Sequence, residues 1–281
     1  MIRLDNVTKR FGGTTAIDGL TLELPDTGIF CLLGRNGAGK TTWMRLVSGR
    51  IGATSGSIEV DGQLVSPGNM PESVNFVDTG VTQFNRKVAW LIDAAASVQP
   101  EFDKDFAMEM AGRFKLDQNK RFGQLSFGMK TMLTTIITAS SAGRIILFDE
   151  PTLGFDPVMR DQFNTLLLKS FEAHPRLIVV STHMINEISK VTQRLIIIDE
   201  GRLLLEAGID DIDEKVYTLS GSVAAVLPAI DGLNCIEQTV MGSVMAAHIY
   251  DNRIEPPPGV TISNLGLQDF FIKLVGGTNN D

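Results

Sequence analysis

The segment Gly34-Arg35-Asn36-Gly37-Ala38-Gly39-Lys40-Thr41 constrains this chain more than any other. It matches the pattern G-x-x-x-x-G-K-[ST] and stands where that pattern has a mechanism. Before it runs the apolar stretch Gly28-Ile29-Phe30-Cys31-Leu32-Leu33, and after it Thr41 to Ser48 reads as a helix closing at Gly49. A strand, a glycine loop and a helix in this order turn backbone N–H groups inward around phosphates, with the helix N-terminus adding a favourable dipole. The candidate phosphate-binding residues are therefore Gly34, Arg35, Asn36, Gly37, Ala38, Gly39, Lys40, Thr41 and Thr42. Lys40 would reach the β and γ phosphates, and the Thr41 hydroxyl would bind Mg²⁺.

A second segment supports the first. Ile145-Ile146-Leu147-Phe148-Asp149-Glu150 is an apolar strand ending in two carboxylates. At the carboxyl edge of a sheet such a pair can hold Mg²⁺ and water beside phosphates. Asp149 is the candidate metal-side residue and Glu150 the candidate base.

The remaining pattern predicts an α/β chain with a mostly parallel sheet core. Short strands are expected at Ile2 to Val7, Leu20 to Leu24, Gly56 to Gly62 and Val74 to Val77. Helix formers from Val88 to Leu116, interrupted by Pro100, predict two or three helices, a helical insertion. Strand and helix then alternate: Ile145 to Phe148, helix Pro157 to Phe171, Leu177 to Val180, helix Met184 to Lys190, and Leu195 to Ile198. After Gly208 the pattern loosens through Pro228 and Pro256-Pro257-Pro258 to a closing helix around Leu267 to Leu274. The expected domains are residues 1–210, with a helical subdomain at about 84–141, and an accessory region at 211–281.

Composition narrows the function classes. With 25 basic and 33 acidic residues among 281, the net charge is −8, which gives no pull toward nucleic-acid or anionic lipid surfaces. Cys31 and Cys235 form no CxxC or Cys/His cluster, so a reducing cytosol is expected and a disulfide framework is not. No signal-peptide pattern follows Met1, and no apolar run reaches the roughly 18 to 20 residues of a membrane helix. Any membrane role is expected to come through a partner.

A third motif, Leu125-Ser126-Phe127-Gly128-Met129, falls shortly before the Asp149 strand. In this order the three motifs resemble the ABC ATPase family, whose usual signature reads Leu-Ser-Gly-Gly-Gln. Phe127 and Met129 depart from that pattern. Leu153-Gly154-Phe155-Asp156 lies where the family has its D-loop, and Ser181-Thr182-His183 where it has its switch histidine. The resemblance covers about residues 1 to 210. It implies a P-loop NTPase of ABC type, with an antiparallel β subdomain beside the parallel core, binding and hydrolysing ATP with Mg²⁺. It further implies that Ser126 and Gly128 complete the site of a second subunit, that His183 contacts the γ-phosphate, and that Phe11, in Lys9-Arg10-Phe11-Gly12, stacks on adenine.

The family's metal-side glutamine directly follows the strand that corresponds to Val74 to Val77. This chain has Asp78 and Thr79 there, and Gln83, several residues on, is the candidate. The implied partners are a second ABC ATPase subunit, identical or homologous, and a polytopic membrane subunit, with no direct nucleic acid or lipid anchor. The expected place is the cytoplasmic side of the cell membrane. The sequence from Leu125 to Lys130, the run Asp149 to Pro157 and a C-terminal Gly266-Leu267-Gln268-Asp269-Phe270-Phe271 segment resemble bacterial exporters of the drug, peptide and antibiotic-resistance type. The main alternative is a soluble ABC ATPase acting on ribosomes or DNA, which paired ATPase domains, long coiled-coil insertions or basic stretches would mark. A GTPase is set aside because Asn119-Lys120-Arg121-Phe122 lacks the aspartate of a guanine-reading motif. His174, His248 and the methionines, including Met108, Met110, Met129 and Met132, are read as packing or surface residues. Arg86-Lys87 and Lys120-Arg121 are read as a solvated rim that could touch a protein partner.

Overall fold

The computed structural model describes residues 1–77, 85–99 and 101–277. Two compact units divide the chain, Met1–Glu206 and Ala207–Asp281.

In the first unit, β1 (Ile2–Phe11) and β2 (Thr14–Leu24) form an antiparallel hairpin across Gly12-Gly13. The buried strand β3 (Gly28–Leu33) leads through the glycine loop to α1 (Lys40–Val47). There follow β4 (Ser55–Val60), β5 (Gln63–Leu64) and β6 (Val74–Val77), then α2 (Val88–Val98), α3 (Lys104–Arg113) and α4 (Phe127–Ala139). The unit closes with β7 (Ile145–Asp149), α5 (Pro157–Ala173), β8 (Leu177–Thr182), β9 (Arg194–Asp199) and β10 (Arg202–Gly208).

Local chemistry sets several of these helix starts. Asp103, Ser126 and Asp156 each cap a helix, accepting from the backbone N–H of Phe106 at 2.9 Å, Met129 at 3.3 Å and Met159 at 2.8 Å. Pro157 begins α5, where a missing N–H costs nothing.

Two sheets result. One runs β2-β1-β4-β5, and the other, six-stranded, runs β10-β9-β3-β8-β7-β6. In the larger sheet β9, β3, β8, β7 and β6 pair in parallel. A parallel sheet covered on both faces needs apolar residues on both, and every residue of β3 and β8 is buried. Phe30, Leu32, Leu147, Val179 and Ile196 pack with Trp43 of α1 and with Ile2, Leu4, Leu22 and Leu24 of the hairpin. On α5, Phe163 meets Phe148 edge to face at 6.1 Å. Burial pushes the Cys31 thiol, in the middle of β3, well above its usual pKa.

Arg176, just before β8, is also buried, and donates to the carbonyls of Ala139, Ser141 and Gly143 and to Ser170 Oγ. Burial alone lowers its pKa to about 10, so it stays cationic at neutral pH against the carbonyl end of α4.

One expected element is corrected. Met184 to Lys190 does not form an α-helix; it contains only a 3₁₀ turn, Ile185–Glu187. Met184 is extended and its N–H donates to Thr182 Oγ1 at 3.0 Å, while Ile185, Ile188 and the Glu187 side chain are drawn inward by tertiary contacts. Tertiary contacts override helix propensity here.

The second unit is more regular than its sequence suggests. It contains α6 (Ile209–Lys215), β11 (Val216–Ser222), α7 (Val223–Ala229), β12 (Cys235–Met241), β13 (Val244–Tyr250), β14 (Val260–Asn264) and α8 (Leu267–Gly277). The strands form an antiparallel sheet in the order β12-β13-β11-β14. Tyr217, Leu219, Met245, Ala247 and Ile249 build its core with Val226 of α7. Phe270 of α8 lies 5.4 Å from Tyr250, ring to ring.

Candidate active site

Strand register builds the site. Leu33 of β3 lies opposite Thr182 of β8, and Asp149 of β7 opposite Ser181 of β8. Three neighbouring parallel strands therefore end together, and the glycine loop, the two carboxylates and His183 emerge at one edge of the sheet.

The loop is packed as tightly as its glycines imply. A Cβ at Gly34 would stand 2.5 Å from the carbonyl of Ile198, and one at Gly39 2.5 Å from that of Ala16. Gly39 also has φ +106°, outside the range that side chains favour. The turn after β9 braces the loop, the Gly201 N–H donating to the Ala38 carbonyl at 3.0 Å.

Ala16, Arg35, Asn36, Gly37, Gly39, Lys40, Thr41, Thr42 and Glu150 line a cavity of about 200 Å³. Lys40 is only 6% exposed. Its ammonium donates to the carbonyls of Gly34 at 2.7 Å and Arg35 at 3.2 Å, and lies 3.2 Å from Glu150 Oε1. Thr41 Oγ1 donates to Asp149 Oδ2 at 2.7 Å.

Ser181 joins the two carboxylate positions. Its hydroxyl donates to Asp149 Oδ1 at 2.6 Å and accepts from the Glu150 N–H at 2.9 Å. Glu150 has φ 45°, an uncommon backbone for a residue with a side chain. The second carboxylate oxygen of Glu150 lies 3.0 Å from His183 Nδ1. Although near Lys40, Glu150 Oε1 is buried and accepts no directed hydrogen bond among the described residues.

The structure thus brings together Lys40, Thr41, Asp149, Glu150 and His183. Thr41 and Asp149 offer hard oxygen donors of the kind Mg²⁺ takes. Among the described residues no three His, Cys, Asp or Glu side chains form a metal cluster.

Phe11 ends β1 and is half exposed, with Lys9 Nζ 5.0 Å from its ring centroid. It belongs to the same hairpin as Ala16, which lines the cavity. Ser126 and Gly128 are not among the residues that line this cavity. Ser126 caps α4, and Gly128 packs beneath the chain's own Gly154, whose Cβ, if added, would strike the Phe127 ring. Gln83 lies outside the described residues.

Ser181 enters the sequence reading only as part of the segment that carries His183, with no role of its own, and Ala16 does not enter it. A hydroxyl residue ending the apolar run Leu177 to Val180 was the available signal for Ser181; Ala16 offers none. His174 faces Asp103 at 3.4 Å, and in the second unit Thr218 Oγ1 lies 2.9 Å from His248 Nδ1. The two basic pairs meet: Lys87 bridges Arg121 through the backbone, and the Arg86 guanidinium lies 5.3 Å from the ring of exposed Trp90.

The family model described as ABC transporter matches residues 17–153. Those residues form an ABC transporter ATPase domain. It is 28% identical to the ABC transporter ATP-binding protein YtrB of Bacillus subtilis, over 76% of this chain and 74% of that protein. Bacitracin transport ATP-binding protein BcrA of Enterococcus faecalis is 27% identical, over 99% of this chain and 97% of its own length. The ATP-binding cassette MJ0796, solved as a dimer bound to ADP and Pi, superposes with a TM-score of 0.64 at 21% identity, over 74% of this chain and 99% of that one. The ABC ATPase described here is an ATP-binding and ATP-hydrolysing transporter subunit.

Proposed function

We propose that this subunit drives export through a separate membrane-spanning subunit, working on the cytoplasmic side as one half of an ATPase pair. The observation that carries the catalytic assignment is Glu150, held between Lys40 at 3.2 Å and His183 at 3.0 Å at the cavity wall. In this reading Lys40 turns from Glu150 to the β and γ phosphates when ATP enters. Glu150 then accepts a proton from the attacking water, and His183 holds the carboxylate in line. Thr41 and Asp149 would hold Mg²⁺, whose charge offsets that of the transferring phosphoryl group. Phe11 would cover the adenine.

Each cavity lacks the signature residues of its own chain, which supports completion of the site by Ser126 and Gly128 of a second copy or a homologue. No described helix is long and apolar enough to cross a membrane, so the transport path would belong to the membrane subunit. The joined basic pairs and Trp90 on the helical insertion offer a surface for that subunit. Likeness to the bacitracin transport protein supports export of a drug or peptide.

The test is to express tagged Glu150→Gln in its native cell, trap it with ATP, and identify co-purifying proteins by mass spectrometry. A polytopic membrane protein is expected. Ribosomes or DNA without one would overturn the transporter reading.

A further inference from the structure

Glu187 takes no part in the scheme above, yet its carboxylate is only 8% exposed. Acidic side chains are seldom buried this far unless partners hold them. Thr152 Oγ1 donates to Glu187 Oε2, and Arg160 Nη2 lies 3.1 Å from Oε1. Asn164 Nδ2 donates to the Glu187 backbone carbonyl at 2.9 Å. Arg160 and Asn164 are one turn apart on α5, and Thr152 sits in the turn that Glu150 opens, the Leu153 N–H donating to the Glu150 carbonyl at 3.2 Å.

These bonds join two short segments that each carry one member of the Glu150–His183 pair. From Glu150 the chain passes through Pro151 to Thr152; from His183 it passes through the 3₁₀ turn to Glu187. On the sheet side the same two segments are joined by Ser181, bonded to both Asp149 and the Glu150 N–H. The pair is thus framed from both sides. Arg160 Nε and Asn164 Oδ1 are buried beside Glu187 without a hydrogen-bond partner among the described residues. A network kept only for stability gains most when every member is satisfied, and this one is not.

We propose that Glu187 is a positioning residue for ATP hydrolysis, setting the separation of Glu150 and His183 through its bonds to Thr152 and Arg160. The proposal rests on the roles assigned to Glu150 and His183 above.

The experiment compares Glu187→Gln, Thr152→Val and Thr152→Ser with the unmodified 281-residue chain. Phosphate release, nucleotide titration and thermal unfolding are measured on each, with Glu150→Gln and His183→Ala as references. Misplacement of a catalytic group by about 1 Å costs up to ~100-fold. The expected result is therefore a kcat at least about tenfold lower in Glu187→Gln and Thr152→Val, with nucleotide Kd within about twofold of the unmodified chain. Thr152→Ser, which keeps the hydroxyl, restores kcat. A lower Tm with undiminished kcat per folded molecule in both variants overturns the proposal, as does nucleotide affinity falling in step with kcat. If either variant fails to fold, the comparison of Thr152→Ser with the other decides on the same criteria. Undiminished turnover in Glu150→Gln or His183→Ala would instead overturn the assignment beneath, and this proposal with it.

Discussion

On the proposed reading, replacing Glu150 by glutamine separates proton acceptance from nucleotide binding. The substitution is nearly isosteric and adds no new Cβ strain, so the φ of 45° is retained. It removes a negative charge that the structure sets against Lys40, at 3.2 Å, between side chains 6% and 21% exposed. Loss of a positioned base lowers kcat by about 10²- to 10⁴-fold, or about 2.7–5.4 kcal/mol of barrier. In the proposed scheme the same change frees an ammonium that leaves Glu150 to meet phosphate. A close, partly buried charge contact of this kind has a net value of about 1–2 kcal/mol. ATP should therefore bind about 5- to 30-fold more tightly to the variant. Phosphate release under saturating ATP reads the first effect, and titration calorimetry with ATP and Mg²⁺ reads the second. Turnover at the unmodified rate would refute Glu150 as the base. Slow turnover with weakened ATP binding would refute the competition between Glu150 and phosphate for Lys40.

Lys40→Ala removes the buried ammonium proposed to meet the phosphates, and ATP affinity should fall about 30- to 150-fold, equivalent to ~2–3 kcal/mol, by the same titration. Phe11→Ala should weaken ATP binding by about fivefold without lowering Tm, because the ring is half exposed; equal affinity would remove it from the adenine site. Arg176→Met leaves the carbonyls of Ala139, Ser141 and Gly143 without their donor, and urea unfolding should show a loss of about 3 kcal/mol or more. The buried Cys31 thiol, its pKa raised, stays protonated at pH 7 to 9 and should resist alkylation until the chain is unfolded; half-buried Cys235 should label first, as mass spectrometry of digested protein would show.

The sequence alone was enough for elements in which local and tertiary demands agree. A glycine pattern between a continuous apolar strand and a helix admits few structures, because its first and last glycines face backbone atoms that a Cβ would meet, as Gly34 meets Ile198 and Gly39 meets Ala16. Lys40, Thr41, Asp149, Glu150 and His183 were legible for that reason: each sits at a fixed offset from the end of a buried strand. In the structure Ser126 and Asp156 cap α4 and α5.

What only the tertiary structure decided depends on pairing between distant segments. The alternation in β13 places Met245, Ala247 and Ile249 inward, but the interleaved Ala246 and His248 dilute the contrast, so the accessory sheet was not visible before its partners were in place. Met184 to Lys190 carries helix-compatible residues, yet Thr182, Thr152, Arg160 and Asn164 hold it in a turn. Ser181 gained its place between Asp149 and Glu150 from the register of β8 against β7, which no local pattern encodes. Motif chemistry is local and survives in the linear order of residues; the distances that align it are set by strand register and buried polar contacts, which exist only once the chain has folded.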